Sequence, residues 1–299
     1  MYADARDGTV VRLDGVREEL RLAGSLKAGQ LERIALDGRL SVDSVGAVLP
    51  ERLAVPVRGV RVASVHKGVL DLGADVLSVE RLRLEVQQLG LEGSGRVEAL
   101  TDSARRNVAI ELRAEEFSAE DLVRSLPAGV LRALTGGAGA ETEIPEVAGR
   151  ASVRVRVEGP LGRGAVPSVE GAVGFSDVSV AVKRGEVLAG MGGNVAFSLD
   201  SLVSDGIRGR LLGEPFQLKF AVHEPADPDV EFAAAGALDL ARATALAGVQ
   251  DSVRAEGRVQ LDVRGRVRPK APAASALSGV VQPRAVRLAT AKLLQPVSV

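Results

Sequence analysis

Apolar and polar residues alternate along most of this chain with a period of two. Between Arg33 and Asp43, the even positions Ile34, Leu36, Leu40 and Val42 are apolar and the odd ones are mostly polar. Successive side chains of a strand point to opposite faces, so the segment predicts a strand with one greasy side and one wet side; Gly38 marks a bulge or bend. The pattern recurs. Leu82, Leu84 and Val86 alternate with Arg81, Arg83 and Glu85; Val108, Ile110 and Leu112 with Ala109, Glu111 and Arg113. Val153, Val155 and Val157 alternate with Ser152, Arg154 and Arg156; Phe216, Leu218, Phe220 and Val222 with Gln217, Lys219 and Ala221. Val259, Leu261 and Val263 alternate with Arg258, Gln260, Asp262 and Arg264. Gly, Pro, Asp and Asn separate the runs, as turns require. A parallel sheet covered on both faces reads as continuous apolar runs, so the alternation points to antiparallel strands with one face in water.

Helical signals are few. Ser118 to Leu126 opens on a capping serine followed by acidic first-turn residues, and Ala128 to Leu134 resumes a helix after Pro127. Asp239 to Ala247 is the second candidate. Gly136 to Pro145 reads as a linker and Arg268 to Ser278 as a low-complexity loop.

A repeat is visible in the second half. Gly149 and Gly171 stand 22 residues apart (171 − 149), as do Gly257 and Gly279 (279 − 257), and the two pairs are offset by 108 (257 − 149). Leu89-Gly90-Leu91-Glu92-Gly93 shows a looser likeness to Asp205-Gly206-Ile207-Arg208-Gly209. The expected unit is roughly a hundred residues of strands closed by a short helix. It divides the chain into a first unit over 1–134, a linker over 135–148, a second unit over 149–250 and the start of a third over 251–299.

Composition narrows the function classes. Lys and Arg number 38 against 39 Asp and Glu, which gives neither the basic footprint of a nucleic-acid binder nor a polybasic membrane tether. The apolar fraction is 46% but aromatics are 2%, so the surface to be buried is aliphatic and platforms for stacking bases or sugars are scarce. With no Cys, disulfides and thiolate metal sites are excluded. Met1 to Asp7 lacks the apolar core of a signal peptide, and no run of apolar residues is long enough for a membrane-spanning helix. Strand patterns begin at Gly8 and run into Val299, which suggests a fragment of a longer protein, without its targeting and anchoring parts.

Candidate chemistry is thin. His66 and His223, the only histidines, read as surface or strand-end residues rather than metal ligands. Gly190-Met191-Gly192-Gly193 and Gly136-Gly137-Ala138-Gly139 lack the Lys and Ser/Thr of a phosphate loop and read as turn or linker. Glu18-Glu19 and Glu115-Glu116 are adjacent on strands, so each pair points to opposite faces and forms no shared site. No catalytic residue, metal or cofactor is expected. The informative feature is the apolar face, which two short helices cannot roof. A second sheet would seal it as a sandwich. Otherwise the sheet is an open groove and an apolar ligand covers it; an acyl chain of ~16 carbons offers up to ~13 kcal/mol of transfer free energy.

Three stretches tip that balance. They are Gly171-Ala172-Val173 leading to Asp177-Val178-Ser179-Val180, Leu188 to Phe197 with its Gly190-Met191-Gly192-Gly193 turn, and Asp205-Gly206-Ile207-Arg208-Gly209-Arg210-Leu211-Leu212-Gly213-Glu214-Pro215-Phe216. In order, they resemble the C-terminal region of AsmA-like proteins. The likeness is closest over Gly149 to Val299 and looser over Gly8 to Pro127. It implies an all-β fold: a long, curved antiparallel sheet forming an open apolar groove, similar to bridge-like lipid transfer proteins. It implies a periplasmic location, with an inner-membrane anchor preceding the region seen here. It also implies a role in conducting phospholipid between inner and outer membrane, with envelope proteins as possible partners at the chain ends. The apolar alternates named above, from Ile34 to Val263, would line the groove as a surface for acyl chains, with head groups at the open rim.

Overall fold

The computed structural model describes residues 2–4, 9–48, 57–125, 146–162, 165–182, 185–224, 227–247, 253–290 and 297–298. The linker expected over Gly136–Pro145 and the helix expected over Ala128–Leu134 lie outside these residues. The strands are β1 (Tyr2–Asp4), β2 (Thr9–Lys27), β3 (Gln30–Val48), β4 (Val57–Asp71), β5 (Val76–Val86), β6 (Leu89–Glu98), β7 (Asn107–Ser118) and β8 (Glu146–Pro160). They continue with β9 (Ser168–Val182), β10 (Gly185–Ser198), β11 (Ser201–Leu211), β12 (Glu214–His223), β13 (Asp229–Asp239), β14 (Val253–Val267), β15 (Ala276–Thr290) and β16 (Val297–Ser298). All sixteen form one sheet in chain order, each antiparallel to the next. The sheet is antiparallel, as the alternation predicts, and it is open and curved.

Helix α1 (Ala119–Ser125) follows β7 and helix α2 (Leu240–Ala247) follows β13. Both have side-chain caps: Ser118 Oγ accepts the Glu120 N–H at 3.1 Å, and Asp239 Oδ1 accepts the Arg242 N–H at 3.0 Å. In a meander, strand ends alternate between two rims. One rim carries the connections of β2–β3, β4–β5, β6–β7 and every second hairpin thereafter. The other carries both helices.

The repeat has a firmer basis in backbone geometry than in sequence. Gly149 and Gly257 both have positive φ, as do Asp177 and Ala285, at the offset of 108 (257 − 149, 285 − 177). Gln87 and Leu212 match in the same way at an offset of 125, as do Ala99 and Glu224 (212 − 87, 224 − 99). Register shifts fall between Val79 and Leu82 in β5 and between Ser204 and Ile207 in β11. The unit is therefore β4–β9 repeated as β10–β15, six strands with one helix, inside a single sheet. Asp205–Gly209 thus corresponds to Glu80–Leu84 in β5 rather than to Leu89–Gly93, because the shared bulge sets the alignment. Gly190–Gly193, expected as a turn, lies within β10 and carries its register shifts.

Burial is sparse. The accessible surface is 19511 Å², against ~12,000 Å² for a compact monomer of 31.0 kDa. Among the described residues no large side chain is completely shut off from water. The best-packed cluster is Leu91, Ala114 and Val153, joined by Leu84, Leu112 and Phe117. It belongs to β6–β8, the strands against which α1 packs.

Candidate functional site

Residues directly opposite each other in an antiparallel ladder share a face, so the register carries a face from strand to strand. Val42 pairs with Val62, Val62 with Val86 and Val86 with Leu89. Gly95 of β6 pairs with Ile110, Ile110 with Val157 and Val157 with Val169. Val155 leads through Gly171 and Phe197 to Leu202, Val222, Val230 and Val267. Ile207, Leu218, Ala234, Val263 and Gly279 form one more row, and Gly236, Leu261 and Val281 another. Followed in this way, all nineteen alternates from Ile34 to Val263 fall on one face. Val42, Val108 and Val153 are buried there, and the other sixteen remain partly exposed.

Little on this face is polar. At paired positions away from the strand ends, β3 to β15 contribute Ser64, His66 and Ser204. Ser204 Oγ is satisfied by donating to the Asn194 carbonyl at 2.6 Å. His66 is not the surface or strand-end residue expected. It lies mid-strand, partly buried, with its ring against the Gly38 backbone where a larger residue's Cβ would stand. His223 does end its strand and is exposed.

Sequence reasoning missed part of this face. All six phenylalanines lie on this face, including Phe117, Phe175, Phe197 and Phe232 beside Phe216 and Phe220. Phe232 has the right signal, alternating with Glu231 and Ala233. Phe117, Phe175 and Phe197 sit by bulges that shift the phase of the alternation, which hides them from a strict period of two. Glycine is the second missed component. A Cβ at Gly171 would enter the Phe197 ring, and one at Gly265 the Leu277 side chain. On the opposite face, Gly90 meets nothing. A Cβ at Gly174, also on that face, would meet the Ser152 hydroxyl and the Asn194 side chain.

The opposite face is charged. Arg17 pairs with Asp43 at 3.0 Å, Arg33 with Asp71 at 3.1 Å and Lys67 with Asp37 at 3.1 Å, each across neighbouring strands. Glu115 and Glu116 do not point to opposite faces, because the bulge between Ala114 and Phe117 turns both to solvent, toward Arg113 and Arg150. Asp229 accepts hydrogen bonds from Arg266 and Arg268, and these hold its carboxyl well below the usual carboxylate range. A cleft of about 840 Å³ on this face is bordered by Lys67, Arg81, Arg83 and Arg113 but also by Glu80, Glu92 and Glu111, so it presents no single-sign field. Among the described residues no three His, Asp or Glu side chains converge to hold a metal, and no helix is long and apolar enough to cross a membrane.

No family model matches the chain, no curated protein matches it, and no solved structure matches its fold. The arrangement's chemistry is that of a surface: a wide aliphatic strip through β3 to β15, with most charges on the far side and Glu18 of β2, opposite Leu40, at its margin.

Proposed function

We propose that this chain is a segment of an AsmA-like envelope protein that holds phospholipid acyl chains on its apolar face and conducts them between inner and outer membrane. One observation carries the reading. The apolar face runs through the strands from β3 to β15, ~58 Å at ~4.8 Å per strand, with no second sheet over it among the described residues. Isolated apolar residues on a surface need no explanation, but a continuous exposed strip does. An acyl chain gains its transfer free energy from such a strip without any polar contact, which suits a face whose few polar groups are scattered. The protein would act in the periplasm, joined to the inner membrane by an anchor outside this segment and meeting envelope proteins at its ends. A structural module sealed by a second sheet of its own is less favoured, because all sixteen strands belong to the same sheet.

The test is lipid content. Wild-type protein purified without detergent is expected to carry phospholipid detectable by mass spectrometry. Leu218→Asp combined with Leu261→Asp places two charges on the strip and is expected to lower the lipid-to-protein ratio several-fold. Unchanged lipid content in a variant with wild-type circular dichroism would overturn the reading.

A further inference from the structure

At paired positions away from the strand ends, from β3 to β15, the apolar face carries a single titratable side chain, His66. Its ring is partly buried, and Nε2 lies where a Cβ of Gly38 would stand, a place that Cδ1 of Leu20 also reaches from β2. The missing side chain at Gly38 lets the imidazole lie down on the sheet instead of standing up into water. Among the described residues the ring has no hydrogen-bond or ionic partner. Its neighbours on this face are aliphatic or glycine: Leu36, Gly38 and Leu40 on β3, and Val79, Leu82 and Leu84 on β5, with Ser64 and Gly68 on its own strand. The charged group that β2 adds is Glu18, one row along from Leu20 and exposed. Lys67, Glu80 and Arg81 border the cleft of the opposite face. The frame itself does not call for a histidine. Ile207 of β11 matches Leu82 of β5 (207 − 82 = 125), and the residue of β10 that lies against Ile207 is Gly193.

We propose that His66 is a pH-sensitive break in the strip: acyl chains cross β4 over the neutral imidazole and lose their hold there when the ring is protonated. The device rests on this face being an acyl-chain surface, as proposed above, and adds its regulation. Histidine is the side chain whose ordinary titration falls between about pH 5 and 8. A neutral ring lying flat among leucines costs little to cover. An imidazolium with no carboxylate bonded to it depends on water, and a chain laid over it removes that water; a buried, unpaired charge is costly. Charge and cover therefore exclude each other at this place. The position makes the effect felt. On β4 this face runs Val60, Val62, Ser64, His66, Gly68 and Leu70, so the ring sits mid-width, where a chain passing from β3 to β5 crosses.

The test is lipid retention. Protein purified with its lipid is incubated with phosphatidylcholine vesicles at about pH 8 and about pH 5.5, a range over which ordinary carboxylates and the vesicle headgroups keep their charge. Lipid retained per protein is then measured by mass spectrometry after the vesicles are removed. Wild type is expected to retain about two-fold less at the lower pH. His66→Leu should retain the higher amount at both values, and His223→Leu, changed at an exposed strand end, should follow wild type. Variants are first matched to wild type by circular dichroism, and His66→Gly, the second unit's residue, takes the place of a leucine variant that fails to fold. Retention in wild type that does not change with pH, or an equal fall in the His66 variant, overturns the inference and leaves the acyl-chain reading standing. Wild type that carries no lipid at the higher pH overturns that reading and the inference with it.

Discussion

Leu84 of β5 faces Leu91 of β6; at the matching places in the second unit, Gly209 of β11 faces Phe216 of β12. One row over, Gly93 faces Leu112, whereas Leu218 faces Ala234. In the next, Gly95 faces Ile110, and Phe220 faces Phe232. The frame is shared, with the same bulge and left-handed backbone at the same turn positions, but its filling differs from row to row; in the Gly93–Leu112 row, matched by Leu218–Ala234, large and small residues have changed places. The helices differ as well. In α1, Ala119 and Ser125 are buried and Ser125 Oγ accepts the Gln88 N–H at 3.4 Å. In α2 no residue is buried, and Arg242 ties the helix to the Leu212 carbonyl at 2.8 Å. The first unit thus holds a packed centre beside its helix, while the second leaves a softer and more exposed strip.

The largest effect expected from that contrast is in the packed centre. Leu91→Ala removes a side chain that is 6% exposed and should cost ~3 kcal/mol in urea unfolding. Leu277→Ala, at an edge position 72% exposed, should cost under ~0.5 kcal/mol. Similar costs at the two sites would erase the distinction between centre and edge.

Volume exchange is testable next. A side chain at Gly93 would meet the Glu111 carbonyl and the Leu112 side chain, so Gly93→Leu should cost ~2 kcal/mol. Adding Leu112→Ala imports the second unit's filling and should return about half of that loss, a coupling seen in a double-mutant cycle. Strict additivity would show that the two units are filled independently of their frame.

A smaller effect lies in the helix caps. Ser118→Ala should lower stability by ~1 kcal/mol. Asp239→Ala should lower it less, since α2 buries nothing, and amides of α2 should exchange with deuterium faster than those of α1. Equal exchange in the two helices would count against the packing difference.

The smallest effect is electrostatic. The folded-state pKa of Asp229 is depressed by Arg266 and Arg268, so its contribution is fully present above the ordinary carboxylate range and is lost as pH falls below ~4 toward the folded value. The urea midpoint should therefore fall on acidification a little more in wild type than in Asp229→Asn. The pair is exposed and screened by water, so the difference is small.

Much of the fold was legible in the sequence because a strand writes its two faces as a period of two. Val153, Val155 and Val157 read as one side of a strand, and the register places them so. Ser118 and Asp239 announced helices because a capping side chain acts on its own neighbours. Legibility stopped at bulges. Phe175 and Phe197 flank register shifts, Gly190–Gly193 sits inside a strand that it distorts, and His66 lies on the apolar face in a run, Val65 to Lys67, where alternation is weak.

The sequence by itself determined the strands, their polarity of face and the antiparallel class, since these follow from local side-chain order and short turns. Only the tertiary structure decided that one sheet collects the greasy sides of its strands and that, among the described residues, no second sheet closes over them. Register, curvature and cover depend on which residues meet across strands, through glycines that admit a neighbour's side chain and bulges that reset the phase, and no window along the chain contains both partners of such a meeting.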